Sequence, residues 1–350
     1  MSRSTNRQPT DRVLQHGLTP NLQLPTPKPN LEPLGVGNWE LGVGVSRRRF
    51  ISISAAAFAG ALVEAGLPDP LGASQQGTSK ITTTDLNGVT LFQGAGCNVL
   101  AMPGQDGALM IDGGLAANAD ALLAAVKSAT RNTRVHTLIN THGHPEQVGA
   151  NEAVGKDGGV ILAHEKTLKY LSNTVDSVTF KGRRPPLPKS AQPTRTTRGD
   201  GSIEFAGQQI EYGYLPAAHT DGDLFINFPK LNLIAVGGIV SAEDWPLLDY
   251  RNGAWLGGRV RALERLAGLV QPDTRVVPAT GRVMTGKEIV RHREMYQTLF
   301  ATMIEYLNMG MGPEDMARRN PLREYQAEFG DPVPFTSGAL RSMQIAYVPD

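Results

Sequence analysis

Three of the seven histidines stand where they could share one ion. His142 and His144 lie two apart in Thr141-His142-Gly143-His144, directly after the short apolar run 135–140, which reads as a strand. His219 lies in Ala218-His219-Thr220-Asp221-Gly222-Asp223, directly before a second strand-like run, 224–228. Two histidines two apart on a strand-end loop can aim their rings at one point, and a third from a distant loop can close the set. Neutral imidazole is a good zinc ligand, and three imidazoles with a water in the fourth position make a catalytic zinc geometry. An ion so held acidifies its water and makes it a nucleophile at neutral pH. The His-x-His pair by itself is equally at home as two buried, hydrogen-bonded loop histidines, so the surrounding elements must carry part of the argument.

Those elements begin near Thr78. Runs at 88–92, 97–102 and 108–111 are β-like, and the turn cluster Pro103-Gly104-Gln105-Asp106-Gly107 predicts that the last two pair as a hairpin. The Ala- and Leu-rich stretch 119–129 reads as a helix. A strand is expected at 160–163, followed by a helix over 165–171. Residues 181–201 show no period and are rich in Pro, Arg, Thr and Gly, the composition of a lid, a binding loop or a solvated tract. Strands resume at 203–205, 210–214, 224–228 and 233–236, then a helix at 255–270, a strand at 275–278 and a long helix at 288–307. Hairpins followed by strand–helix alternation, given twice, predict an α+β chain: an αββα sandwich with two mixed sheets inside and helices outside. A cupin-like all-β barrel is disfavoured by the helices and by the closeness of Glu146 to His-x-His.

The stretch from Thr141 to Asn151 (Thr141-His142-Gly143-His144-Pro145-Glu146-Gln147-Val148-Gly149-Ala150-Asn151) resembles the His-x-His-x-Asp-His signature loop of the metallo-β-lactamase superfamily. The His219 loop looks like that family's third-histidine loop. Asp112-Gly113-Gly114 resembles its early Asp-Gly turn, Val236-Gly237-Gly238 falls where it has Gly-Asp, and Pro278-Ala279-Thr280-Gly281 falls where it has Gly-His-Gly. The resemblance runs from about residue 85 to residue 300, and it implies the same sandwich. It also implies that His142, His144 and His219 form the family's first metal half-site, with Asp112 tying the floor together.

The second half-site departs from the pattern. Glu146 stands for the motif Asp, Gln147 for the motif His, Thr280 for the late His, and Gly238 for the bridging Asp. Gln and Thr are poor zinc ligands and Gly offers none, so one zinc ion is expected and no second metal. Three readings follow. In the first, the chain is a mono-zinc hydrolase: a metal-bound water attacks an ester, lactone, amide or lactam bond, with Glu146 as general base. In the second, it is a non-catalytic relative that binds a ligand or partner. In the third, the histidines hold no metal.

Other residues have plainer expectations. Cys97, the sole cysteine, excludes an intrachain disulfide and reads as a small buried strand residue. His164 reads as a helix-start residue, with a supporting place beside the metal as the alternative. His136 and His292 read as structural or surface residues. Asp221 and Asp223 are expected either to orient the ligand loop or to form its turn. Segment 244–249, with Trp245, occupies the place of a pocket-shaping loop. Arg183, Arg184, Arg195 and Arg198 could favour an anionic substrate if the loop 181–201 covers the site, or could simply be solvated.

Residues 1–45, rich in Pro, Asn, Gln and Gly, read as a disordered leader. Ser46-Arg47-Arg48-Arg49-Phe50-Ile51, followed by a 13-residue run of small and apolar residues to Val63, resembles a twin-arginine export signal spanning 46–73. The run is shorter than the ~20 residues that cross a bilayer. The expected location is therefore periplasmic or secreted, with an uncleaved membrane anchor as the alternative. The sandwich domain is placed at 78–309, and 310–350 is read as an extension packed on it. A net charge of +1, with no basic cluster interleaved with aromatics, gives no reason to expect nucleic acid. A small-molecule substrate or ligand is the expected partner.

Overall fold

The computed structural model describes residues 80–179 and 182–347. The leader and the twin-arginine-type segment lie outside the described residues. In chain order, β1 (Thr82–Asp85), β2 (Thr90–Gln93), β3 (Val99–Met102) and β4 (Ala108–Ile111) form an antiparallel meander. Helix α1 (Ala119–Thr130) returns the chain to β5 (Val135–Ile139), which runs parallel to β4. The short helices α2 (Pro145–Val148) and α3 (Asn151–Lys156) lead to β6 (Val160–His164), parallel to β5, and then to α4 (Glu165–Ser172). A small ribbon follows, β7 (Val175–Asp176) against β8 (Arg183–Arg184). Next, β9 (Arg195–Thr197) adds itself parallel to β6 and completes a seven-stranded sheet.

The second sheet has six strands. β10 (Gly201–Phe205), β11 (Gln208–Leu215), β12 (Asp223–Phe228) and β13 (Leu233–Gly237) are antiparallel neighbours. Helix α5 (Leu256–Leu269) crosses over to β14 (Arg275–Pro278), parallel to β13, and β15 (Met284–Thr285) closes the edge. Then come α6 (Gly286–Asn308), α7 (Pro313–Arg319), α8 (Gln326–Phe329) and α9 (Val333–Tyr347). Helix α6 begins with a capping box between Thr285 and Glu288, which satisfies two of the backbone N–H groups its first turn leaves open.

The four layers follow from period-2 alternation along the strands. In β3 and β4, Leu100, Met102, Leu109 and Ile111 face the other sheet, where they meet Leu224, Ile226, Leu233 and Ala235. Their chain neighbours Val99, Ala101, Ala108 and Met110 face outward onto Leu122 and Val126 of α1. In the second sheet Phe225, Ile234, Val236 and Val276 face outward onto α5 and α6. Phe335, Ala339, Leu340 and Met343 of α9 join that outer cluster. Each fully buried Leu, Ile, Val or Phe contributes about 1.5–3 kcal/mol, so three such clusters hold the sheets in register against large entropic costs.

The expected αββα sandwich is the architecture observed. Three local expectations are corrected. Cys97 is buried, but it precedes the strand, which starts at Val99. The stretch 181–201 is not periodless loop throughout, because it supplies β8, β9 and a short 3-10 turn at Lys189–Ala191. Its three-residue edge strand is too short to show a period. Helices α2 and α3, which follow the histidine loop, were also not foreseen.

The parallel strands β4, β5, β13 and β14 all deliver their C-terminal ends to one edge of the sandwich. Asp112 follows β4, the His142–His144 loop follows β5, Gly238 follows β13, and Thr280 follows β14. The antiparallel β12 starts at the same edge, so the His219 loop arrives there too. Leu224 N–H donates to Thr141 O at 2.8 Å, which ties the two loops together across the sheets.

Candidate metal centre

The three imidazoles meet. His142, His144 and His219 are all buried, and their nearest ring nitrogens lie within 4.8 Å of one another. Ring centroids are 4.6–4.8 Å apart at interplanar angles of 75–84°, so the rings surround a point edge-on and do not stack. Among the described residues this is the only group of three or more such side chains arranged to hold a metal.

The outward-facing nitrogens decide which way the lone pairs point. His219 Nδ1 lies 2.8 Å from the Leu247 carbonyl oxygen, which can only accept, so Nδ1 carries the proton and Nε2 is bare. His144 Nε2 lies 2.9 Å from Asp249 Oδ2. Burial works to raise the Asp249 carboxyl, but donors on His144, Ser177 and Asn252 outweigh it and leave the group below its ordinary value. Asp249 is therefore an acceptor, His144 Nε2 carries the proton, and Nδ1 is bare. These two bare nitrogens face each other at 3.1 Å. Two lone pairs at that distance repel unless a cation lies beside both.

The third ring is set by a relay. Thr141 N–H and Oγ1–H donate to the two oxygens of Asp112, at 2.7 and 2.8 Å. With the carboxylate ionised, the hydroxyl proton is committed to it. His142 Nδ1, 3.0 Å from that hydroxyl, must then donate to it, which leaves Nε2 bare. Asp112 adopts φ +61°, a left-handed conformation that costs a non-glycine residue roughly 1 kcal/mol or more and is characteristic of constrained sites. Burial pushes its carboxyl up to about 7 despite the two Thr141 donors.

Burial, reinforced by the neighbouring rings, pushes His142 and His219 well below the ordinary histidine value. For His219 the Arg259 guanidinium adds to the same effect. Neutral imidazole with a bare nitrogen is the ligand form. A tetrahedral zinc with Zn–N of about 2.0–2.1 Å needs nitrogens about 3.3 Å apart. Nitrogens lying within 4.8 Å of one another, with one pair at 3.1 Å, reach this by a small inward adjustment, so the residues present fit a metal ion.

Two further residues fix the His219 loop. The Asp223 carboxylate accepts from His219 N–H (2.7 Å), Thr220 N–H and Thr220 Oγ1–H, so it shapes the loop backbone and leaves the imidazole to Leu247. Arg259, on α5, is completely buried with no carboxylate in hydrogen-bond reach. Its guanidinium donates to the carbonyls of Ala218 (3.3 Å), Pro246 (2.7 Å) and Leu247 (2.5 Å). It thereby staples the His219 loop to the loop 245–249 and shares the very carbonyl that orients His219.

The histidines open on a cavity of about 250 Å³. Glu146, Gln147, Gly238 and Thr280, the residues expected at the second half-site, all line it. They bring one carboxylate, no imidazole and no thiol. A Cβ at Gly238 would fall 2.4 Å from His219 Nε2, so a side chain here requires the ring to shift.

Asp221 stands apart. Its carboxylate lies 3.7 Å from Lys166 Nζ, and it lines a separate small cleft. His164 caps α4 through Nδ1, stacks on Tyr214 at 3.9 Å and does not join the trio. Burial beside Asp112 pushes the Cys97 thiol well above its ordinary value, the opposite of what a nucleophile needs. None of the four loop arginines lines the cavity: Arg198 pairs with Glu165, Arg184 packs on the Tyr170 ring, and Arg183 and Arg195 lie in edge strands. Sequence reasoning missed Asp249, Ser177, Asn252 and Arg259. The stretch 244–249 was marked as a pocket loop, yet nothing in its spacing singled out Asp249.

The family model described as the metallo-beta-lactamase superfamily matches residues 93–280. Similar solved structures include a metallo-beta-lactamase from Pontibacter korlensis, at 21% identity over 62% of this chain and 93% of that one, with TM-score 0.48. DIM-1 metallo-beta-lactamase is 14% identical over 63% of this chain and 98% of that one, with TM-score 0.51. Metallo-beta-lactamase IND-7 is 17% identical over 62% and 91%, with TM-score 0.47. At these identities the likeness is one of fold, and the DIM-1 structure carries it. No curated protein matches the sequence.

Proposed function

The chain belongs to the metallo-beta-lactamase superfamily, and from that membership we propose that it is an exported hydrolase using one zinc ion to cleave an ester, lactone or amide-type bond. The observation that carries this reading is the pair of bare nitrogens, His144 Nδ1 and His219 Nε2, held 3.1 Å apart by partners that fix both tautomers. A single ion is favoured over two because Glu146 is the one good ligand among the four residues at the second half-site.

Zinc bound at the trio supplies a Lewis acid for the scissile carbonyl and an acidified water. The chain's own residues do the remainder. Asp249, Leu247 O and Thr141 keep the ring protons on the outward nitrogens, so the inward ones stay available. Glu146, two residues beyond His144 and on the cavity wall, takes the proton from the attacking water as general base. The export proposal rests on the Arg47-Arg48 segment. Lysine at both positions is expected to retain the protein in the cytoplasm on cell fractionation.

The full chain, purified without chelator, is expected to hold about one zinc equivalent by elemental analysis and to lose it on His219→Ala. Glu146→Gln should keep the zinc and lose turnover on a panel of aryl esters and lactones. A metal-free wild-type protein would sink the proposal. One zinc with no turnover on the panel would favour the non-catalytic binder, a reading that the sterically committed Gly238 also suits.

A further inference from the structure

Charge in and under the cavity is one-sided. Apart from the histidines, the charged side chains lining it are Glu146 and Asp244, and no Lys or Arg lines it. Among the described residues neither carboxylate has an ion-pair or side-chain hydrogen-bond partner. Beneath the floor lie the buried carboxylates Asp112, Asp223 and Asp249. The one guanidinium at the floor, Arg259, is engaged by three backbone carbonyls and the Tyr296 side chain. A dication at the trio therefore still leaves the surroundings with more negative than positive charge when these carboxylates are ionised.

The wall adds a second feature. Trp245 lines the cavity and is half-buried. Its indole N–H is used on Gly330 O at 3.0 Å, and its ring is braced by Phe335 (5.4 Å, 20°) and Phe329 (5.0 Å). A braced indole on the wall of the same cavity as two carboxylates without partners is the recognition chemistry of an organic cation.

We propose that the substrate carries an alkylammonium group, seated between Trp245, Asp244 and Glu146 while its scissile bond lies at the trio. This rests on the one-zinc hydrolase reading and specifies its substrate class. The ammonium gives the two carboxylates the partner they lack, and the same field repels a substrate carboxylate.

The test uses the full chain loaded with cobalt in place of zinc and three thiols that bind the open metal position. Thiocholine carries a quaternary ammonium that cannot ligate, 3,3-dimethylbutane-1-thiol is its neutral isostere, and 2-mercaptoethanesulfonate carries an anion. Binding is read from thiolate-to-cobalt absorbance, with affinities referred to the thiolate form. Thiocholine is expected to bind roughly tenfold more tightly than its neutral isostere, the gain of one charge-assisted contact, and the sulfonate more weakly than either. The thiocholine preference should shrink as salt rises, and should shrink several-fold in the Glu146→Gln/Asp244→Asn double variant. Comparing variant with wild type cancels the intrinsic differences among the thiols. Equal affinities, a preference unchanged in the double variant, or a preference for the sulfonate would overturn the proposal while leaving the metal reading intact. Failure to take up cobalt overturns the hydrolase reading itself, and this inference with it.

Discussion

The two halves of the cavity are built on opposite principles. On the His142–His144–His219 side, every ring nitrogen that points away from the centre has a partner, and each partner is itself held: Asp249 by Ser177 and Asn252, Leu247 O by Arg259, Thr141 by Asp112. On the Glu146–Gln147–Gly238–Thr280 side the scaffold is sparser, and only the buried Gln147 is held, by Cys97 at its side chain and by Asn140 Nδ2 at its carbonyl. Thr280 is exposed, Glu146 has no hydrogen-bond partner among the described residues, and Gly238 has no side chain. The lesson is that a metal half-site is recognised by its supports as much as by its ligands. The supports are dense around the three histidines and sparse around Glu146, Gly238 and Thr280.

The heaviest blow to this asymmetry is expected from Arg259→Met. Three carbonyls on two loops lose their donor, and one of them is the anchor of His219. Leaving buried acceptors unpaired costs about 1–3 kcal/mol each, partly relieved by relaxation, so a loss of roughly 3 kcal/mol in denaturant unfolding is expected. Zinc should bind more weakly in the same variant. Full stability with normal zinc affinity would show that the supports are dispensable, and the comparison would fail.

Next in size is an attempt to repair the damaged half. Gly238→Asp restores an acid at the bridging position, yet its Cβ would fall 2.4 Å from His219 Nε2. Crowding of this kind costs about 1–3 kcal/mol, so the first ion should bind up to roughly a hundredfold more weakly, with stoichiometry at or below one. Two zinc equivalents by elemental analysis would show that only side chains, and not the scaffold, had been lost.

Asp249→Asn sharpens the comparison from the intact side. One amide oxygen must then serve His144, Ser177 and Asn252, and the fixed negative charge behind His144 is gone. Zinc affinity is expected to fall roughly tenfold to a hundredfold in competition with a chromophoric chelator. Gln147→Ala, on the sparsely supported side, should leave it unchanged.

How far the sequence foretold this follows the same division. The sandwich was legible because alternating pairs such as Val99/Leu100 and Leu109/Met110 print the layers directly onto the strands. His142, His144 and His219 were legible because each abuts a strand end in the right order. Asp249 was not, because it lies 105 residues from His144 and contacts it only once the β5–α2 and β13–α5 loops converge. Arg259 reads in sequence as one more charged residue on a helix. Only its complete burial against three carbonyls reveals its role, and burial of a charge is a tertiary fact. Arg195–Thr197 pairs with the open edge of β6, a long-range pairing that three residues of sequence do not announce.

His292 supplies the smallest test and the cleanest control, since it is a buried histidine outside the centre. It lies on α6 against Tyr296 and Phe329, and its Nδ1 has no hydrogen-bond partner. The charged groups acting on it are Arg291, Glu328, Glu288 and Arg259. Burial, aided by Arg291, lowers its pKa from 6.5 to about 4. The neutral ring is thus favoured in the folded chain, while the unfolded chain takes up a proton near the ordinary value. Between those two values the unfolded state binds more protons, so stability falls as pH falls from about 6.5 towards 4. From pH 7.5 to 5.5 the loss from this group alone is about 1.3 kcal/mol. His292→Phe should flatten the pH dependence of chelator-treated protein by about that amount over this interval, whatever it does to stability at pH 7.5. An unaltered slope would mean that the ring finds a proton-accepting partner when folded. The distinction between supported ligand histidines and an unsupported spacer histidine would then lose its physical basis.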